Sequence, residues 1–399
     1  MSVNLSVNLG GINFKNPFLV GSGPTVKNFG QLKAAADSGW AGASIKLAME
    51  PFPYLNLPPR YRWLPKEKYH IFTAEKRLTA DESLSLMEES RKLRDDFIVI
   101  PTFSFDGEDY EGWGKLANRF VNAGARIIEL NMCCPNMSFN LTSTGAETKK
   151  STGASLGTDY VNLPKVVKII TEAVTVPVIV KFYPEGSLHI KSARLALDAG
   201  AAAVGHVGGI LGIPDIDVRN PFSPFYRLQD ELTLGFMSGA HMRPLALKAT
   251  YQMRSALGPE AFIIGSGGIT DLNSAVQQIM VGSDMVWICT ETMIRGFDWM
   301  PKMLEDLEKY MTEMGYKSIR DFRDILLKNI VSAQDLTIHK GYAELDETKC
   351  TSCGRCLKIP HCPALSAEGK KTILKRSGCL GCSTCVDVCP QKAFSMKKG

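Results

Sequence analysis

Eight of the chain's eleven cysteines are crowded into one stretch near its end. They run Cys350-x2-Cys353-x2-Cys356, then Cys362-Pro363, then Cys379-x2-Cys382-x2-Cys385-x3-Cys389-Pro390. Thiolates three residues apart on a tight loop can all reach one cubane, so each triplet reads as a ligand set for an iron–sulfur cluster. Zinc sites typically take two Cys-x2-Cys pairs, not two triplets each followed by a Cys-Pro. A disulfide framework belongs to secreted chains. The first ten residues show no basic region followed by an apolar core, so no signal peptide is expected. The question then becomes where such clusters send their electrons.

The doubled pattern resembles the two-cluster bacterial ferredoxins, in which the Cys-Pro of each half gives the fourth ligand to the other half's cluster. That resemblance implies Cys350, Cys353, Cys356 and Cys389 around one [4Fe–4S] cluster. Cys379, Cys382, Cys385 and Cys362 would hold the second. The first half departs from the pattern. Five residues, not three, separate Cys356 from Cys362, so residues 357–361 are expected to bulge.

A chain of 399 residues is too long for one small domain. Its 45% hydrophobic and 22% charged content are ordinary for a globular protein. No run is long and apolar enough to suggest a membrane span. The net charge of +5 is spread along the chain, with no Lys/Arg block interleaved with aromatics, so nucleic acid is not an expected partner. Reduced cysteines and oxygen-sensitive clusters point to the cytoplasm.

Residues 4–18 alternate around Gly10-Gly11 and read as a hairpin. From Phe18 on, short apolar runs fit for buried parallel strands alternate with amphipathic helical stretches. The runs are Phe18–Gly21, Gly42–Lys46, Phe97–Thr102, Arg126–Asn131, Val176–Phe182, Ala202–Val207, Phe262–Gly265 and Met285–Cys289. A glycine sits at the joint before several of them, in Asp37-Ser-Gly, Asn122-Ala-Gly, Asp198-Ala-Gly and Val281-Gly, as a helix C-cap feeding a strand would require. Trp113, Leu116 and Phe120 make one helix face; Val166, Val167, Ile170 and Val174 make another. Eight such units indicate an α/β fold, a (β/α)8 TIM barrel. A doubly wound sheet would usually show a nucleotide fingerprint after its first strand, and no G-x-G-x-x-G occurs. Residues 301–316 read as a last helix with Met303, Leu307, Tyr310 and Met314 as its core stripe. The expected organisation is a barrel over residues 1–317, a connector over 318–340 and the cysteine module over 341–399.

In barrel enzymes the working residues stand where strands end. Strand 2 ends in Lys46, strand 4 in Asn131-Met132-Cys133-Cys134-Pro135-Asn136, strand 5 in Lys181 and strand 6 in His206. Strand 7 runs into Gly265-Ser266-Gly267-Gly268, and strand 8 ends in Cys289-Thr290. The glycine-rich turn opens a helix, and its N–H groups suit a phosphate. A lysine buried at a strand end must face something anionic, or it would cost several kcal/mol.

The strand-4 loop is similar to the Asn-x-Ser-Cys-Pro-Asn loop of dihydroorotate dehydrogenases. Such a barrel followed by two cluster motifs resembles the dihydropyrimidine dehydrogenases, most closely the FMN and iron–sulfur subunit of the bacterial two-subunit form. Residues 56–61, Asn-Leu-Pro-Pro-Arg-Tyr, resemble that family's substrate-side loop. The resemblance implies FMN, with Lys46 and Lys181 at its ring and Ser22, Ser238 and Gly239 beside it. Ser266, Gly267, Gly268, Cys289 and Thr290 would hold its phosphate. Asn56, Asn131 and Asn136 would face the substrate, and Cys134 would be the acid/base. Cys133 stands where the family has Ser and reads as a bystander.

Two departures bear on the substrate. Where the pyrimidine enzymes share an Asn-Thr pair after strand 6, this chain has His206-Val207. Where a further substrate Asn is expected, it has Thr73. His206 and Thr73 are therefore expected to shape the substrate site, away from uracil and thymine and toward a differently substituted ring or an enone carboxylate. The expected function is reduction of a polarised C=C bond. An electron-relay subunit and a dihydroorotate dehydrogenase are the other readings. Electrons would come from a separate FAD/NAD(P)H-dependent subunit or a ferredoxin, within a homo- or hetero-oligomer.

Overall fold

The computed structural model describes residues 3–49, 57–73, 76–134, 152–184, 186–223 and 225–399. They form two compact units, Met1–Lys328 and Asn329–Gly399.

The first unit is a parallel barrel. Its strands are Phe18–Val20, Gly42–Ser44, Ile98–Ile100 continued by Thr102–Ser104, Ile128–Met132, Val178–Phe182, Ala203–His206, Ile263–Ser266 and Met285–Ile288, here barrel strands 1 to 8. All eight lie within or overlap the runs read from sequence. Strand 3 closes the ring in two pieces. Its first half pairs with strand 2, Gly42 opposite Ile98, and its second half with strand 4, Glu129 opposite Thr102. Pro101 stands at the break, where it has no N–H to give. Its carbonyl accepts from Glu129 N at 2.9 Å.

The period-2 pattern splits the strands between two cores. Leu19, Ile98, Ile179, Ile264, Met285 and Trp287 fill the barrel interior, and the other face packs on the helices. The hairpin of Val7–Leu9 and Ile12–Phe14 contributes Leu9 and Phe14 to the interior set, so it plugs one end of the barrel. The joint glycines Gly39, Gly124, Gly200 and Gly282 have φ of +88°, +108°, +99° and +122°, a conformation that costs an L side chain about 1–2 kcal/mol. The last barrel helix, Met300–Met314, buries Met303, Leu307 and Met311. Met314, expected in that stripe, is 54% exposed; Met311 takes the place, one turn on from Leu307.

Two features depart from the sequence reading. A four-stranded antiparallel sheet is built from Arg60–Leu64, Tyr69–Thr73, Gly235–Ser238 and Gly209–Gly212, all from loops that follow strands 2 and 6. The connector also starts later than expected. Ile319 and Phe322 are buried in the barrel core, and Asn4 bridges to Ser318, so residues 318–328 belong to the barrel unit.

The second unit holds a ribbon of Gly341–Leu345 with Phe394–Lys398 and a hairpin of Leu365–Glu368 with Lys371–Leu374. Ala343, Ile359, Phe394, Cys356 and Cys385 make its core. Both Cys-x2-Cys loops turn the same way. Ser352 and Gly354 have φ of +55° and +71° in the first, and Gly381 and Ser383 have +71° and +62° in the second. Corresponding positions are left-handed in both loops.

Candidate active site and cysteine cages

One large cleft, about 1110 Å³ including its open mouth, lies where the barrel strands end. The strand ends converge on it. Lys46, Asn131, Cys133, Cys134 and Lys181 line it, from strands 2, 4 and 5. Ser22, Ser238, Gly239, Ser266, Gly267, Gly268, Cys289 and Thr290 line it as well. Thr290 Oγ1 donates to Ser238 Oγ at 2.9 Å, tying the strand-8 end to the antiparallel sheet. Asn56 and Asn136 lie outside the described residues.

The residues of the strand-4 loop are held from within. Asn131 Oδ1 accepts from Cys134 N at 3.1 Å and from Cys133 N at 3.3 Å. Its amide oxygen is thus turned to the loop, and what Asn131 can offer a ligand is its NH2 group. Cys133 is 4% exposed, and burial pushes its thiol up to about 12. Cys134 is more open and borders Leu47 and Met49. Arg77, only 1% exposed, donates from Nη2 to Cys134 Sγ at 3.2 Å. Sequence reasoning missed Arg77, because it comes from the loop after strand 2, far from any strand end.

The two lysines differ. Lys181 pairs with Glu129, which is fully buried on the strand beside it. The anion expected to face this lysine is therefore in the chain itself. Burial works against the Lys181 ammonium, but Glu129 outweighs it and its pKa is raised. Lys46 is 4% exposed, and its backbone N–H donates to Val26 O at 2.9 Å.

The glycine-rich loop after strand 7 is tied down by Arg243. That side chain donates to Gly268 O at 2.9 Å and to Thr270 Oγ1 at 3.0 Å. The helix that follows, Leu272–Met280, is not an open anion site. Asp271 caps it, accepting from Ser274 N at 2.8 Å.

His206 and Thr73 do not do what the sequence suggested. His206 is fully buried and turns outward, to the helix Arg243–Leu257, where Nε2 and Thr250 Oγ1 are 2.7 Å apart. The reason is strand alternation. Gly205 takes the inward position, where a Cβ would stand 2.3 Å from the Trp287 ring. Val207 and Gly208 face the cleft instead. Thr73 is buried opposite Arg60, and its neighbour Phe72 lines the cleft. The expectation of a carboxylate-bearing substrate, which rested on an imidazole in the site, falls with His206.

Burial depresses the His206 pKa to about 4. An unfolded chain would hold that proton below about pH 6.5. Stability from this site is thus complete above 6.5 and is lost as pH falls toward 4. His206→Asn is expected to flatten the stability–pH curve in that window, measured by denaturant titration at pH 7 and pH 5. An unchanged slope would refute it.

In the second unit, the eight cysteines sort into two sets. Cys350, Cys353, Cys356 and Cys389 line one cavity of about 300 Å³. Cys362, Cys379, Cys382 and Cys385 line another of about 350 Å³. The longer spacer before Cys362 is taken up by a 3-10 turn, Cys356–Lys358, and by Ile359, buried in the module core. N–H groups point at the thiols: Ala343 N donates to Cys379 Sγ at 3.2 Å and Ala393 N to Cys389 Sγ at 3.3 Å. Cys382 accepts from Thr384 and faces His361 Nε2 at 3.5 Å, and its thiol is lowered to about 7. Among the described residues, no three ligating side chains converge tightly enough for a single ion. Each set surrounds a space instead.

A barrel with its cleft at the strand ends can host many chemistries, so the class of this one comes from its relatives. Residues 4–311 match the dihydroorotate dehydrogenase family, and the chain belongs to that family and is an oxidoreductase. The chain is 27% identical to the chloroplastic dihydropyrimidine dehydrogenase (NADP(+)) of Arabidopsis thaliana, over 84% of this chain and 79% of that one. It is 26% identical to the NAD-dependent dihydropyrimidine dehydrogenase subunit PreA of Escherichia coli K12, over 89% and 85%. It is 32% identical to the dihydroorotate dehydrogenase B (NAD(+)) catalytic subunit of Pyrococcus abyssi, over 81% and 99%. No helix among the described residues is long and apolar enough to cross a membrane.

Proposed function

We propose that the chain is an FMN- and iron–sulfur-dependent reductase of a polarised C=C bond in a ring or enone. The observation that carries this reading is the placing of Cys134. It is a partly open thiol at the cleft wall, held by Asn131 and touched by a buried guanidinium. Reducing such a bond needs a hydride at one carbon and a proton at the other. FMN bound in the cleft would supply the hydride. Cys134 gives the proton, and the Arg77 guanidinium steadies the sulfur that has lost it. The Asn131 NH2 group orients the carbonyl conjugated to the double bond. Lys46 and Lys181 hold the flavin ring, and the loop of Ser266, Gly267 and Gly268 holds the phosphate.

The two cysteine sets fit [4Fe–4S] clusters, with N–H groups donating to sulfur as cluster cages do. Electrons reach them from a partner. The matched PreA chain and the P. abyssi chain are both subunits by name, and this sequence carries no dinucleotide fingerprint. A separate FAD/NAD(P)H-dependent subunit or a ferredoxin is the donor we expect, in the cytoplasm. The 32% match to the P. abyssi subunit favours dihydroorotate as the second substrate to assay. A pure relay is the weaker reading, because a relay has no use for a proton donor.

The first test is composition. Protein purified without oxygen should carry about eight iron and one FMN per chain. Zinc in place of iron, or no flavin, would overturn the reading. Cys382→Ala should lose one cluster and electron entry yet keep its flavin.

A further inference from the structure

Glu129 is a carboxylate with 0% exposure in the middle of a barrel, two residues before Asn131 on the same strand face. Both of its oxygens are engaged. Oε1 meets the Lys181 ammonium, and Oε2 accepts from Ser44 Oγ at 2.6 Å. Ser44 Oγ in turn accepts from Trp287 Nε1 at 3.1 Å, so the hydroxyl proton is left for Glu129. The Lys181 ammonium also lies 4.8 Å over the Trp287 ring. Barrel strands 2, 4, 5 and 8 each give one member of this chain of contacts. Its outer end is Lys181, on the wall of the cleft.

Such a network is a poor device for stability. A buried ion pair often does no better than apolar residues of the same volume. What it does achieve is a fixed charge at the cleft wall. A lysine buried without a partner tends to give up its proton in the neutral range or below. The other groups facing Lys181 are Cys133 and Cys289, both thiols, and the Cys133 thiol is kept neutral by burial.

We propose that Glu129 is a positioning residue that keeps Lys181 protonated at the wall of the cleft, with Ser44 and Trp287 holding Glu129 in place. This rests on the reading that the cleft takes FMN. The charge would stabilise negative charge that develops on the flavin ring as it accepts electrons.

Sulfite is a probe of that charge. It adds to flavin N5 through its sulfur lone pair, and the displaced electron pair leaves the ring anionic, so affinity rises with positive charge nearby. The test titrates sulfite into FMN-loaded full-length protein at pH 8 and follows the bleaching of the flavin band. Glu129→Gln is expected to bind sulfite about tenfold more weakly than wild type, close to Lys181→Met, the scale of one lost charge across a partly screened site. Ser44→Ala should fall between. Glu129→Gln binding as tightly as wild type, or more tightly, would overturn the proposal. Should Glu129→Gln not fold, the double variant Glu129→Gln/Lys181→Met removes both charges, which packed interiors tolerate. It should bind sulfite as weakly as Lys181→Met; wild-type affinity there would equally overturn the proposal. Wild-type protein without flavin would instead sink the FMN reading, before any variant is made.

Discussion

Cys134→Ala is expected to lower turnover by roughly 10²–10⁴, the usual scale for a lost general acid, while flavin reduction by an artificial donor stays intact. The two half-reactions part company because only the second moves a proton to carbon. Cys133→Ala is the control. The two cysteines are neighbours in sequence and share one anchor, the Asn131 amide oxygen. They differ in setting. Cys133 is closed off, with its thiol pushed up to about 12 by burial, so it neither gives nor regains a proton near neutrality. Cys134 is partly open and has Arg77 at 3.2 Å. Cys133→Ala should therefore cost far less. Stopped-flow reduction and steady-state turnover of both variants decide the matter. Equal losses from the two substitutions, or a Cys134→Ala enzyme blocked in flavin reduction, would refute the assignment.

The barrel was legible in the sequence because its signals are local. A buried strand is a short apolar run, and a helix that must turn back into a strand ends in a glycine with positive φ, as at Gly39, Gly124, Gly200 and Gly282. The cysteine sets were legible for a related reason. Ligand spacing is a property of one loop, and a doubled loop signals its partner. The antiparallel sheet was missed because it joins two loops distant in sequence, through the pairing of Tyr69–Thr73 with Gly235–Ser238. Gly209–Gly212 in particular has neither β-branched alternation nor a turn signal that reads as a strand.

The candidate site was legible by position more than by direction. Residues at strand ends gather at one cleft, since the barrel puts those ends together whatever the side chains are. Which way each one points depends on its neighbours. His206 was placed in the site because it ends a strand, yet Gly205 holds the inward position under Trp287 and sends His206 to Thr250. Glu129 stood in plain view between Ile128 and Leu130. A single acidic residue inside an apolar run is easily passed over, although burial makes such a residue costly unless paired. The anion that a buried Lys181 requires stands on the neighbouring strand, where register sets Asn131 opposite Lys181 and Glu129 two residues before it.

Gly208 and Gly267 bring the loops after strands 6 and 7 together, backbone on backbone. A Cβ on Gly208 would stand 2.2 Å from Gly267 Cα and 2.4 Å from its N. Something must move, and the options are few. Gly267 has φ of +108°, and a Cβ there would in turn meet Gly208 Cα at 2.7 Å, so the approach is close from both sides. Arg243 ties Gly268 and Thr270 from the other side, so the loop cannot simply step back. Gly208→Ala should therefore displace the very segment assigned to the FMN phosphate. Overpacking of this kind costs about 1–3 kcal/mol, which corresponds to FMN held roughly 5–150-fold less tightly if the loop bears the strain. Gly30→Ala makes the comparison fair. That glycine is exposed on the first barrel helix, and an added Cβ meets only Asn28 Oδ1 at 3.5 Å, so it should bind FMN as wild type does. The measurement is release of fluorescent FMN on dilution, with circular dichroism to show that the barrel still folds. A folded Gly208→Ala protein that keeps its flavin as tightly as wild type would show that this loop does not hold the phosphate.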